Sequence, residues 1–248
     1  MSVLQTNVVP RVHRLGSPFV NWYVVEDGNR LTAVDAGLPG FATDLERDLH
    51  ELGHRPEDVE AVVLTHSDAD HTGVAEALRE AGAVIYVHGY DQGTLASPGP
   101  KGGDARPQKV VPHLRHPQAW RTMVGMVRGG GARPAAIEGP EIVSDGDELD
   151  VPGRPRVVHT PGHTPGHCAF VFDDRGALFA GDAVCTWNPL TGKRGPQLLP
   201  RPLNVSNAEA QESMRRIGGL AAKVTLPGHG EPWHGPPATL AQRALDAA

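Results

Sequence analysis

Thr65-His66-Ser67-Asp68-Ala69-Asp70-His71-Thr72-Gly73 follows directly on an apolar run, residues 59–64. The run reads as a buried strand. The stretch after it crowds two imidazoles and two carboxylates into six residues, His66 to His71. Imidazole nitrogen and carboxylate oxygen are the donors that zinc, iron and manganese accept. One Asp alone reads as the cap of the helix expected at 73–81, but capping needs one side chain and not four. Delivered by a strand end, the four can point into one concave site.

Outward from this stretch, strands and helices alternate. Residues 19–25 are β-branched and aromatic, Asp27-Gly28-Asn29 makes a hairpin turn, and 31–35 return as a second strand. Residues 41–52 have helical spacing closed by Gly53, and 84–88 form another strand. From about 89 to 140 the texture changes. Pro98, Pro100, Gly102, Gly103, Pro107 and Pro112 break regular elements, so this insert reads as a long loop region. It contains one amphipathic helix, 118–128, with Trp120, Met123, Val124 and Val127 on its apolar side. Regular structure resumes at 141–149 and 156–159. Residues 168–172 and 177–180 pair around Asp173-Asp174-Arg175-Gly176. A helix at 207–220, a strand at 223–226 and a helix from Pro237 complete the chain.

Three further strand ends carry chemistry. Thr160-Pro161-Gly162-His163-Thr164-Pro165-Gly166 follows one strand, Phe179-Ala180-Gly181-Asp182 ends another, and Pro227-Gly228-His229-Gly230 ends a third. A lone Gly-Asp or Gly-His carries no weight. Together with Asp35 and the 66–71 cluster, these motifs resemble in order those of the metallo-β-lactamase superfamily, over residues 19–233. The resemblance departs at Asp68, where that family has His.

The resemblance implies an α/β (α+β) fold of one domain, 1–248, a four-layer αββα sandwich with the 89–140 insert. It implies two divalent metal ions, zinc above all. His66, Asp68 and His163 would form the first site; Asp70, His71 and His229 the second; Asp182 would reach both, and Asp35 would support the ligand loop. Asp70 and Asp182 are the expected catalytic carboxylates. Asp68 adds negative charge and an oxygen donor, which favours manganese or iron more than an all-imidazole site does. His159 reads as a strand-end residue and His167 as support for a ligand. Candidate pocket residues are Trp187, Asn188 and Pro189 after Asp182, and His116, Trp120 and Met123 from the insert.

Bulk properties narrow the partners. The 248 residues carry a formal net charge of −6 with no basic block, which gives no reason to expect nucleic acid or an anionic membrane. The first fourteen residues lack a secretory pattern, and Cys168 and Cys185 are expected as reduced thiols in the cytoplasm. A small-molecule substrate is expected; oligomeric state is not legible. The resemblance points first to a hydrolase of a carbonyl ester-type bond, a thioester or lactone. A mononuclear iron persulfide dioxygenase using His66, His163 and Asp182 is an alternative from a different reaction class, and a non-catalytic metal-binding member is a third.

Overall fold

In the computed structural model, residues 3–99, 102–132 and 134–248 are described; the predicted break at Pro100 lies outside them. One sheet has seven strands in chain order: β1 (Val3–Val9), β2 (Val12–Gly16), β3 (Asn21–Asp27), β4 (Arg30–Val34), β5 (Val59–Val63), β6 (Val84–His88) and β7 (Glu141–Val143). The second contains β8 (Arg156–His159), β9 (Cys168–Phe172), β10 (Ala177–Gly181), β13 (Val224–Pro227) and β14 (Trp233–His234), in the order β14-β13-β10-β9-β8. A two-stranded ribbon, β11 (Cys185–Trp187) and β12 (Arg194–Gln197), stands apart. The helices are α1 (Ala42–Glu51), α2 (Ala75–Glu80), α3 (Gly89–Ala96), α4 (Pro117–Arg128), α5 (Asn207–Gly218) and α6 (Pro237–Asp246).

Strand alternation builds the layers. Successive side chains of a strand face opposite ways, and here both ways are apolar. On β3, Trp22 and Val24 face Leu45, Leu49 and Leu78 of α1 and α2, while Tyr23 and Val25 face the other sheet. On β9, Phe170 and Phe172 join that central core, while Ala169 and Val171 meet Met214, Ile217 and Leu240 of α5 and α6. Three apolar cores therefore separate four layers, helices outside and sheets within, as the αββα expectation requires. Sheets covered on both faces explain why the central strands read as unbroken apolar runs.

Two parallel strand pairs aim the chemistry. In the first sheet β4 runs parallel to β5 with Val34 opposite Val63, which brings Asp35 beside Thr65. In the second, β10 runs parallel to β13 with Gly181 opposite Pro227, which brings Asp182 beside Gly228 and His229. The carboxyl ends of both pairs supply the ligand loops, the usual place for a site on parallel strands.

Several elements differ from expectation. The helix after the His/Asp stretch starts at Ala75, and no side chain caps it, so Asp68 and Asp70 are not its caps. Of residues 141–149 only β7 is strand. The insert holds α3, two 3-10 turns (Pro107–Lys109 and Val111–Arg115) and α4. The side of α4 expected to pack is largely exposed: Trp120, Met123, Val124 and Val127 are 49, 43, 42 and 58% exposed. Its packing face is made of small residues instead. A Cβ at Gly125 would strike the Phe19 ring, and Gly40 N–H donates to the Gly129 carbonyl at 2.8 Å. Close backbone approach, not large apolar side chains, seats this helix. Among the described residues no helix is long and apolar enough to cross a membrane.

Candidate metal centre

Asp35 organises the loop that follows β5. Its backbone is left-handed (φ 60°), a conformation that Asp adopts more readily than most residues. This turns a buried carboxylate under the loop. Asp35 Oδ1 accepts the Thr65 N–H at 2.7 Å, and the Thr65 hydroxyl donates to the same carboxylate at 2.9 Å. His71 Nδ1–H donates to Asp35 Oδ2 at 2.8 Å. With its proton given to Asp35, the Thr65 oxygen accepts from His66 Nδ1–H at 2.9 Å. One carboxylate thus orients two imidazoles, one directly and one through a hydroxyl.

The other two imidazoles are tied in the same sense. His163 Nδ1–H donates to Asn204 Oδ1 at 3.4 Å, and His229 Nδ1–H to the Phe19 carbonyl. Every one of these rings is fixed at Nδ1, which leaves Nε2 as the inward donor atom. The Nε2 atoms converge on carboxylates. Asp68 Oδ2 lies 2.9 Å from His163 Nε2 and 3.5 Å from His66 Nε2. Asp70 Oδ2 lies 3.8 Å from His71 Nε2 and 3.7 Å from His229 Nε2. Asp182 stands between, 3.5 Å from His71, 3.5 Å from His163 and 3.2 Å from His229. His66, Asp68 and His163 form one group able to hold a metal ion, Asp70, His71 and His229 a second, and His66, His71 and Asp182 a third that overlaps both.

Do these residues suit a metal? His66 Nε2, His71 Nε2 and Asp182 Oδ1 are buried without any hydrogen-bond partner. Such orphaned atoms are costly unless something else satisfies them. Around a tetrahedral ion with bonds of 2.0–2.2 Å, ligand atoms sit about 3.3–3.6 Å apart. Most separations above fall near that spacing rather than at hydrogen-bond length. The donor set and its dimensions fit divalent metal ions.

The electrostatics point the same way. Burial alone would lower the pKa of His71, but the charges of Asp182, Asp35 and Asp70 outweigh it and push the value up to about 10. His229 is raised too, with Asp182 outweighing burial. Asp182 is held well below the usual carboxylate range, since His229, His71 and His163 outweigh the burial that would raise it. This centre attracts positive charge.

Glycine makes the approach possible. A Cβ on Gly228 would collide with Asp182 Oδ1 and with the His71 ring, so the chain leaving β13 can pass behind the ligands only with glycine there. Gly181 (φ 48°) leaves no room for a Cβ against His167 Nε2 and Thr65 Oγ1.

His167 lies outside the inward set. Its Nε2 accepts the Asp182 N–H at 3.0 Å, so its proton is on Nδ1, within reach of the Thr160 carbonyl at 3.1 Å. Burial together with His66 and His163 drives its pKa well below normal, so it stays neutral and positions Asp182. His159 ends β8, its Nε2 donating to the Pro165 carbonyl at 2.9 Å. Asp91, on α3, had no signal in the sequence. It is buried, and its carboxylate accepts from Ser67 N–H (3.0 Å), the Thr164 hydroxyl (2.7 Å) and Gly166 N–H (2.8 Å). It ties the 66–71 loop to the His163 loop.

A cavity of about 430 Å³ opens over the carboxylates and is lined by Asp68, Asp70, His163, Asp182 and His229 at one end. Met123 and Pro189 are among its lining residues, while His116, Trp120, Trp187 and Asn188 are not. Trp120 turns outward and donates its indole N–H to the Leu114 carbonyl at 2.8 Å. His116 sits at the start of α4. Trp187 packs on Phe19, ring centroids 5.9 Å apart, and lines a different groove with Arg14 and Glu231. Asn188 closes the β11–β12 turn, its Oδ1 accepting from the N–H groups of Leu190 and Thr191 at 3.0 Å each.

Known proteins are similar to this chain. A probable metallo-hydrolase of Bacillus subtilis, YqjP, is 28% identical over 233 residues, which cover 90% of this chain and 70% of that protein. A hydroxyacylglutathione hydrolase of Alkalilimnicola ehrlichii is 31% identical over 163 residues, 66% of this chain and 46% of its own length. The crystal structure of a metallo-beta-lactamase family protein of Thermus thermophilus, TTHA1429, superposes with a TM-score of 0.67 at 26% identity, covering 95% of this chain and 78% of that one. The sequence model of one family matches residues 15–229, a span that holds all four sheet-end motifs and both parallel strand pairs. With its ligand loops set at the ends of those strands, this chain belongs to the metallo-beta-lactamase superfamily.

Proposed function

We propose that the chain is a binuclear metal-dependent hydrolase that cleaves a carbonyl ester-type bond, a thioester or lactone, of a small molecule. The observation that carries this reading is the pair of ligand groups sharing Asp182 at the end of one cavity. In it, His66, Asp68 and His163 would hold one ion and Asp70, His71 and His229 the other, with Asp182 within reach of both groups. Zinc suits the imidazoles, while Asp68 and Asp70 widen the range toward manganese or iron. Bound there, divalent ions polarise a carbonyl and make water acidic near neutral pH.

The protein's own residues do the rest. Asp182, kept ionised and held by the His167 contact to its backbone, presents a fixed negative charge beneath the reacting water. Asp70 lines the cavity and accepts the proton that the attacking water loses. The water oxygen bonds to the carbonyl carbon, the carbon–sulfur or carbon–oxygen bond breaks, and the departing thiolate or alkoxide takes up that proton. The products are a carboxylic acid and a thiol or alcohol. A relative named for hydrolysis of an acylglutathione supports acyl chemistry.

A mononuclear iron dioxygenase would need only His66, His163 and Asp182. The complete second group, Asp70, His71 and His229, supports the binuclear hydrolase instead. With Cys168 and Cys185 both free and buried, we assign the activity to a reducing compartment, the cytoplasm.

Elemental analysis of protein purified without added metal or chelator, with a panel of thioesters and lactones, tests the reading. About two equivalents of zinc or manganese and turnover of at least one panel member are expected. About one equivalent of iron, with oxygen uptake on persulfides and no hydrolysis, would overturn it.

A further inference from the structure

The cavity is chemically lopsided. One end is the metal-binding set. The remainder is apolar, walled by Met123 and Met126 of α4, Val110 and Leu114 just before it, and Leu190 and Leu199 beside the β11–β12 ribbon. Apart from the metal-binding set, only Thr122 and Arg106 among the lining residues have a polar side chain. Thr122 is engaged within the protein: its hydroxyl donates to the Pro189 carbonyl at 2.6 Å and accepts from Gln118 at 3.2 Å. Arg106 is exposed and donates from Nε to the Gly103 carbonyl at 3.3 Å. The volume, about 430 Å³, lies within the range of roughly 300–1,000 Å³ usual for small-molecule sites.

Resting on the hydrolase reading, we infer that the substrate is an ester or thioester with a hydrophobic acyl arm, and that this arm fills the apolar part of the cavity. The polarity of the wall decides against a hydroxylated or charged arm, because polar groups buried there would lose water without gaining a partner. The chemistry decides which side of the scissile bond enters. The leaving thiolate or alkoxide develops charge and must collect its proton from Asp70, so it stays at the metal-binding end and out of the apolar part. The acyl side carries no charge beyond the carbonyl, whose oxygen faces the metal-binding end. Methionines in the wall suit a range of chain shapes.

The test is hydrolysis of N-acetylcysteamine thioesters, acetyl through decanoyl, by the protein with its native metals, paired with calorimetry of 2-alkanones from butanone to 2-decanone. The ketones are neutral and cannot be hydrolysed. Burial of each methylene predicts about a fourfold rise in kcat/KM and in ketone affinity per added carbon, levelling once the cavity is full. Ala119→Phe fills the wall from a buried position of α4 and Met123→Trp from a half-exposed one. Each is expected to cancel the gain beyond butyryl, with melting temperatures showing that the variants are folded. Hydrolysis that is flat or that falls with acyl length overturns the inference and leaves the hydrolase reading intact. Ketone affinity that climbs with length while no thioester or lactone is hydrolysed keeps the apolar cavity and ends the hydrolase reading.

Discussion

Asp68 Oδ2 lies 2.9 Å from His163 Nε2, on the side of the ring that faces the cavity. A hydrogen bond joins the two side chains here, and both belong to the group that would hold the first metal ion. Asp68→Ala is therefore expected to weaken the His66/His163 site by at least about tenfold, ~1.4 kcal/mol, without touching the Asp70/His71/His229 site. Asp68→His is expected to raise zinc affinity. Zinc titration against a chromophoric chelator resolves the two equivalents; curves identical to the parent for both variants would remove Asp68 from the ligand set.

Asp35 touches no candidate ion, yet fixes His71 directly and His66 through Thr65. Asp35→Asn keeps the size and tolerates the left-handed backbone, but its amide nitrogen cannot accept from all three donors. Loss of such an orienting partner typically lowers metal affinity by about 10–100-fold. The same chelator competition measures it, and a loss under twofold would mean that the imidazoles hold their tautomers without Asp35.

Asp91 joins two ligand loops from a helix that the sequence did not announce. Asp91→Ala leaves two backbone N–H groups and a hydroxyl buried without an acceptor. At about 1–3 kcal/mol for each unsatisfied group, partly relieved by relaxation, a stability loss of about 3 kcal/mol is expected. Denaturant unfolding of the metal-free protein gives the stability, and metal titration is expected to weaken in parallel because Asp68 and His163 sit on the joined loops. Unchanged midpoint and unchanged affinity together would reduce Asp91 to a bystander.

What was legible in the sequence follows from how each feature is encoded. His66 to His71 are local, and Asp182 and His229 end apolar strands, so their placement needs only strand direction. β2 was not legible because much of its burial is polar. His13 is buried against Glu26 at 2.9 Å, and Arg14 against Asn21 and Glu231, both at 2.8 Å, so the strand does not read as apolar. Asp91 and Asn204 act across long sequence separations and look like ordinary loop polar residues. The cavity lining differs from the expected residues for a related reason. Helical spacing picks out the apolar stripe of α4, but glycines decide which side packs, leaving Trp120 outside and Ala119 and Met126 facing the cavity.

His71 gives a prediction with a definite sign. Its folded pKa, about 10, lies above the ordinary imidazole value of 6.5. In the metal-free protein the protonated ring therefore contributes stability that is fully present below pH 6.5 and is lost as pH rises through about 10. A metal ion takes the same Nε2 and must expel the proton first. At pH 8 zinc binding is expected to release about one proton from His71. Calorimetry in two buffers of different ionisation enthalpy reads the release as a difference in apparent heat. The metal-free protein is also expected to lose thermal stability from pH 7 to pH 10 more steeply than the zinc-loaded protein, in which that proton is already gone. Equal heats in the two buffers at pH 8 would mean that His71 is neutral before the metal arrives, and that the surrounding carboxylates do not outweigh its burial.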